Sequence, residues 1–366
     1  MATKAAAMVD PHVHLRDWDQ ADKETLQHGF DLAWRLGFSA LFEMPNTSPP
    51  LTSGKTILRR IEVADATLSR LGIPLVHGIY AGLTDSPAQI DSVVALYDEL
   101  FPRIVGFKLY AGHSTGRMGV VDEEQQADVW QRLVRSDYRG VVAVHCEDET
   151  LLRPDLWDPT NPVSHGAARP AVAEVASVRN QIRLAASAGF RGSLHICHVS
   201  HPDSLAVITA ARRQTPFALR CGVTPHHVLL DEKLARLSDV PEWKLNPPLR
   251  DEGARAQLEE ALIAGCIDWI ESDHAPHTFA DKRDGASGLP GLSATRLLIE
   301  RLRELGCSEE LLGDLVWRNV WTAFGLAPDD LPENPNSPLS AGDEPFDYSA
   351  FAGEYEWDPY RYYERK

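Results

Sequence analysis

Asp10-Pro11-His12-Val13-His14 sets two imidazoles two residues apart at the end of a short apolar run. On an extended strand, side chains at i and i+2 point the same way, so His12 and His14 can offer two nitrogen donors to one cation. Four more residues of ligand type, Lys108, His145, His198 and Asp273, recur at the ends of later apolar runs. Imidazoles and carboxylates suit divalent zinc, and a catalytic site keeps a coordination position open for water. Lys108, in Gly106-Phe107-Lys108-Leu109-Tyr110, is the odd member. An ammonium cannot bind a cation, so this lysine must be deprotonated or converted into an anion.

The elements that must hold these residues follow from hydrophobic periodicity. Short β-rich runs at 6–12, 39–44, 74–80, 104–110, 141–145, 193–199, 217–223 and 266–272 alternate with helical patterns at 23–36, 54–71, 88–100, 123–135, 171–188, 203–213 and 254–264. In one of these, Val175, Val178, Ile182 and Ala185 recur at helical spacing while Arg179 and Arg183 fall elsewhere. Alternating strand and helix implies parallel strands with helices outside, and eight units close an α/β barrel of the (β/α)8 TIM type. Every ligand-type residue then lies near the C-terminal end of its strand, where such barrels assemble active sites. The barrel is expected over residues 1–325. Beyond it the sequence turns Pro-rich, acidic and aromatic, and residues 326–366 are expected to form an irregular extension packed on the barrel through Phe346, Phe351, Tyr355, Trp357 and Tyr360.

Composition narrows the partners. Lys and Arg number 36 against 53 Asp and Glu, a formal charge of −17, and no basic tract could follow a phosphate backbone, so nucleic acid is excluded as a partner. No run approaches the roughly 18 apolar residues that span a bilayer, and the first residues are too short an apolar stretch for a secretory signal. A cytoplasmic protein with no membrane partner is expected. The five cysteines form no CxxC pair, and a reduced, mostly buried role is expected for them.

Nine segments in one order carry a resemblance: DPHVHLRD at 10–17, EMPNTSPP at 43–50, FKLY at 107–110, VHCED at 144–148, HICHVSH at 195–201, VTPHH at 223–227, KLNPPLRDE at 244–252, SDHAPHT at 272–278 and LPGL at 289–292. Together they resemble the amidohydrolase superfamily and, within it, the dihydroorotases. The resemblance implies that Lys108 is carboxylated on its side-chain nitrogen and that the carbamate, with a hydroxide, bridges two Zn2+ ions. His12, His14, carboxylated Lys108 and Asp273 would hold one ion, and carboxylated Lys108, His145 and His198 the other. Asp273 would also take the proton of the attacking hydroxide and pass it to the leaving amide nitrogen. Arg16, Asn46 and His277 would grasp a substrate carboxylate. Asn246 and the backbone around Leu289-Pro290-Gly291 would hold the ring amides, with Tyr110 lining the same pocket. A mobile loop over 111–117 would close on the substrate, with the Thr115 hydroxyl stabilising the transition state. His195 is expected in packing or support, and His226 and His227 in structure.

The reaction so implied is the reversible interconversion of N-carbamoyl-L-aspartate and L-dihydroorotate in pyrimidine biosynthesis, by a homodimer. The small β-sandwich that many relatives carry is expected to be reduced or absent. Two other readings stand beside this one. A hydantoinase- or allantoinase-like enzyme would share the metal site but has no reason to combine Arg16, Asn46 and His277. An inactive subunit scaffolding aspartate transcarbamoylase would be marked by lost metal ligands, and none is lost here.

Overall fold

In this computed structural model, which describes residues 7–114, 118–237, 242–339 and 346–360, eight parallel strands follow one another round a ring in chain order. They are β1 Met8–Val13, β2 Phe38–Glu43, β3 Val76–Gly82, β4 Ile104–Tyr110, β5 Val141–His145, β6 Ser193–Ile196, β7 Ala218–Val223 and β8 Trp269–Ile270. The ring closes where Val13 pairs with His274 and the His14 N–H donates to the His274 carbonyl at 2.7 Å. The expected (β/α)8 architecture is therefore present.

Helices Leu26–Leu36, Gly54–Leu71, Pro87–Leu100, Glu123–Arg135, Ala171–Ala188, Pro202–Ala211, Glu252–Ile263 and Leu292–Glu304 cover the outside. Several begin with a side-chain cap that satisfies a free N–H of the first turn, such as Ser53 on Thr56 and Asp122 on Glu124 and Gln125. Strand residues alternate between two cores. Phe107 and Leu109 pack under the helices, whereas Phe42, Ala143 and Trp269 point inside the ring. Trp321 and Phe324 plug the ring's lower end, with Phe324 at 4.9 Å from the Phe42 ring.

Two strands end earlier than periodicity suggests, and both ends matter for the site. β6 stops at Ile196 instead of Val199 because His198 takes a left-handed backbone, φ 37°. β8 is reduced to Trp269–Ile270, although its ladder continues through Asp268 N–H to Cys221 O and Glu271 N–H to Val223 O, both 3.1 Å. Beyond the barrel, the described C-terminal residues lie against it: the Tyr360 hydroxyl meets His226 Nδ1 at 2.6 Å, and Trp357 packs edge-on to Trp243. Among the described residues the named strands form one sheet, and no helix is long and apolar enough to cross a membrane.

Candidate active site

At the C-terminal mouth of the ring one cavity is lined by His12, His14, Arg16, Asn46, Lys108, Tyr110, His145, His198, Asn246 and Asp273. Residues as far apart in sequence as His12 and Asp273 meet because each follows or ends a strand of the same ring. His12 lies within β1 and is held by Asp10, whose carboxylate accepts the N–H of both His12 and Ser272 at 3.1 Å. Asp273 and His198 both adopt positive φ, 46° and 37°. Such backbone is uncommon outside glycine and turns their side chains inward from strand ends that would otherwise run on.

The donors converge in two groups. Asp273 Oδ1 stands 3.2 Å from His12 Nε2 and 3.0 Å from His14 Nε2. His14 bridges two oxygens, with Nδ1 2.5 Å from Asn46 Oδ1 and Nε2 3.0 Å from Asp273 Oδ1. Burial, reinforced by Lys108, lowers the His12 pKa to about 4, and burial also lowers that of His14, leaving both rings neutral at neutral pH. Burial opposes ionisation of Asp273, but the surrounding imidazoles outweigh it and hold the carboxyl below the usual carboxylate range. Three electron-pair donors thus face one point. Ligands about 2.1 Å from a tetrahedral zinc stand about 3.4 Å apart, close to this spacing.

The second group is built the same way. His145 Nε2 meets Glu147 Oε2 at 2.9 Å and its Nδ1 faces His198 Nε2 at 3.1 Å. Glu147 is fixed by Arg169, Nε to Oε1 3.0 Å, and this charge, with the His145 hydrogen bond, keeps the buried carboxyl below its usual range against the cost of burial. Lys108, fully buried on β4, reaches the same cavity, and its Nζ donates to the Cys197 thiol at 3.1 Å. Among the described residues no carboxylate pairs with that amine. The donor set, with His12, His14 and Asp273 within metal-ligating reach of one another, fits a divalent metal ion.

Around these groups lie the residues expected to recognise substrate. Arg16, 2% exposed, donates through Nε to the Pro276 carbonyl at 3.0 Å, and its Nη2 lies 3.1 Å from His277 Nε2. No carboxylate is paired with it among the described residues. The neighbouring Asp17 instead accepts the N–H groups of Trp18 and Leu26. Tyr110 is buried with its hydroxyl unpartnered. Asn246 Oδ1 contacts His165 Nε2 at 3.0 Å and Ser287 Oγ at 3.3 Å. Near the expected Leu289–Gly291 segment the cavity is lined by Ser287 and Gly288, while the Leu289 carbonyl is occupied by the Ala275 N–H at 2.8 Å and the Gly291 N–H by His274. Thr115 lies outside the described residues.

Comparison with known proteins agrees with this geometry. The chain is 31% identical over 325 residues to the dihydroorotase of Halobacterium salinarum, covering 87% of this chain and 71% of that protein. The chain belongs to the dihydroorotase family. Its matches to the dihydroorotases of Thermococcus kodakarensis and Pyrococcus horikoshii are each 33% identical over 80% of this chain, and span 61% and 59% of those proteins, so the chain covers about three-fifths of their length. No family model matches. Among solved structures, the L-hydantoinase of Arthrobacter aurescens superposes with a TM-score of 0.79 at 23% identity, over 97% of this chain and 80% of that one, and a D-hydantoinase from Thermus sp. with 0.71 at 21%, over 88% and 71%. At that identity the likeness is one of fold.

This member of the dihydroorotase family also uses residues that periodicity does not reveal. Glu271 is a hub: it accepts the His198 N–H and the Trp269 indole N–H, and its Oε2 lies 2.8 Å from His195 Nε2. His195 therefore sits in a supporting position, as expected. His226 and His227 are buried in contacts with Tyr360 and with Thr224 and the Pro247 carbonyl. From the C-terminal segment, Tyr355 donates to Glu24, and its hydroxyl lies 3.0 Å from His274, the residue after Asp273.

Proposed function

We propose that this chain interconverts N-carbamoyl-L-aspartate and L-dihydroorotate, as a zinc-dependent cyclic amide hydrolase of pyrimidine biosynthesis. The observation that carries the reading is Arg16: a buried guanidinium with no carboxylate partner among the described residues, in the same cavity as the two clusters of metal donors. A buried charge of this kind calls for an anion, and a guanidinium engages a carboxylate with paired hydrogen bonds. His277 stands beside it, and Asn46 lines the same cavity.

In this reading His12, His14 and Asp273 would hold one ion and His145 and His198 a second, and Lys108, as its carbamate, would supply a further anionic ligand. The carbamate forms when the neutral amine adds carbon dioxide and gives up a proton. When bound, zinc supplies Lewis acidity and a water of lowered pKa. Arg16 and His277 hold the substrate carboxylate, which fixes the ring relative to the metal donors. Asn246 and the Ser287-Gly288 backbone form the polar wall beside the ring amide. Asp273 carries the proton between the attacking water and the leaving nitrogen. Tyr110 offers its free hydroxyl to the substrate, and the Thr115 hydroxyl stabilises the transition state.

The test is a panel assay on the isolated chain, with zinc content measured alongside. Turnover of dihydroorotate is expected, with little for hydantoin or allantoin. Hydantoin or allantoin turnover without dihydroorotate activity would reassign the substrate. A metal-free, inactive chain that binds aspartate transcarbamoylase would replace the enzyme by a scaffold. Sedimentation of the same preparation tests the expected homodimer.

A further inference from the structure

Lys282 is a fully buried lysine whose Nζ meets three backbone carbonyls: Lys244 at 2.8 Å, and Ala286 and Gly288 at 2.9 Å each. Burial pushes the Lys282 pKa down, and the three carbonyls that converge on its nitrogen oppose this by favouring the ammonium, whose three donors they use. None of the acceptors is charged, and among the described residues no carboxylate pairs with Lys282. Burying this cation costs free energy that an apolar side chain would not incur. What a lysine can do here, and a leucine cannot, is draw three carbonyl oxygens to one point.

Those carbonyls belong to the two segments that form one wall of the catalytic cavity. Lys244 lies two residues before Asn246, and Ala286 and Gly288 flank Ser287. A second link ties the same segments, Gly288 N–H to Lys244 O at 3.0 Å, and Ser287 Oγ reaches Asn246 Oδ1 at 3.3 Å. With the carbonyls on both sides turned to Lys282, that of Ser287 faces the opposite way and meets His277 Nε2 at 3.1 Å. Gly288, at φ 141°, lies so close to Ala275 that an added Cβ would stand 2.7 Å from its carbonyl oxygen. The wall is thus pressed onto the strand-end loop that carries Asp273. Lys282 itself is anchored by the short helix Phe279–Arg283, which opens with a Thr278–Asp281 capping box, and the Trp357 ring from the C-terminal segment lies 5.4 Å from its nitrogen.

We infer that Lys282 is a positioning residue: its ammonium clamps the Lys244–Asn246 and Ala286–Gly288 segments together, and so sets the polar wall that reads the amide edge of a cyclic substrate. This inference rests on the cyclic amide reading above. Its consequence is that Lys282 governs substrate capture without touching substrate or metal.

Lys282→Met keeps the length of the side chain and removes the donors. Loss of the clamp is expected to raise KM for dihydroorotate about tenfold, the size of one well-made hydrogen bond, with kcat and zinc per chain little changed. Lys282→Arg should not rescue it, because a planar fork cannot converge on three carbonyls. Lys282→Gln, which keeps part of the donor set, should fall between and serves if the Met variant does not fold. In an Asn246→Ala background the Met substitution should add little, since both act on one wall. An unchanged KM, or a rise in KM accompanied by loss of kcat and zinc, or effects that multiply independently with Asn246→Ala, would overturn the inference. If the wild-type chain turns over no cyclic amide, the functional reading fails alone. Hydrogen exchange on the zinc-loaded chain then decides the clamp: amides of 285–288 should exchange faster in the variant while those of β4 and β5 do not, and equal exchange throughout overturns it.

Discussion

His145 Nδ1 and His198 Nε2 face each other at 3.1 Å inside the barrel mouth, while the Glu147 carboxylate engages the far nitrogen of His145. Burial and the neighbouring His145 push the His198 pKa well below its usual value, so the His198 ring carries no charge near neutral pH. Two facing imidazole nitrogens of this kind form half of a cation site. A ligand bound only by the folded chain stabilises it by mass action, about 4 kcal/mol at a thousandfold excess over Kd. Zinc added to chelator-stripped protein is therefore expected to raise Tm by several degrees, and His198→Ala to lose a large part of that increment. Thermal melts with and without zinc, paired with metal analysis, check this.

Lys108 presents a buried amine to the same cavity with only a thiol as hydrogen-bond partner among the described residues. If its carbamate bridges the ions, Lys108→Ala should lose most bound zinc and activity, and short carboxylic acids should restore part of both by standing in for the missing carboxylate. Zinc content and rate equal to wild type in that variant would remove the bridging role.

Much of this site is legible in the sequence because a barrel turns linear order into geometry. His12, Lys108 and His145 lie on strands whose β-rich runs are plain, and the spans 104–110 and 141–145 match the observed strands. His198 and Asp273 lie beyond their strand ends, where a positive φ set by tertiary contacts overrides the local pattern. Glu271, Glu147 and Lys282 are legible only afterwards, since a charged residue does not disclose through its neighbours in sequence which distant groups it will meet. The helix Leu292–Glu304 follows a glycine-rich loop and is absent from the periodic reading, as are the segments that place Trp321 and Phe324 under the barrel. Their apolar residues satisfy the barrel floor and carry no chemistry that would single them out.

Arg16 is held by the Pro276 carbonyl and lies beside His277, with no carboxylate of its own. Arg16→Met should raise KM for dihydroorotate by about ten- to a hundredfold, the range of a charge-assisted hydrogen bond, and leave zinc content unchanged. An uncarboxylated cyclic amide, if turned over at all, should show no such change. Steady-state kinetics on both substrates separates carboxylate capture from damage to the metal centre.

Behind Arg16 lies a buried pair that sets its backbone. Arg60 Nε donates to Glu43 Oε2 at 2.9 Å, and Arg60 Nη2 donates to the Arg16 carbonyl at 3.0 Å, with His77 as a further partner of Glu43. Burial alone would raise the Glu43 pKa, but the Arg60 charge and the His77 hydrogen bond outweigh it and lower the value to about 2. A carboxylate depressed in the folded state binds its proton more readily when unfolded, so its contribution is complete above the ordinary carboxylate pKa and is lost as pH falls toward 2. The decline of stability between about pH 5 and pH 2 should be shallower in Glu43→Gln by roughly one proton, read from denaturant unfolding across that range. Arg60→Met leaves the buried Glu43 charge with His77 alone and no guanidinium, and should cost up to about 3–5 kcal/mol. Because the same guanidinium holds the Arg16 carbonyl, the folded fraction of that variant should also show a raised KM, whereas a purely structural pair would leave KM unchanged.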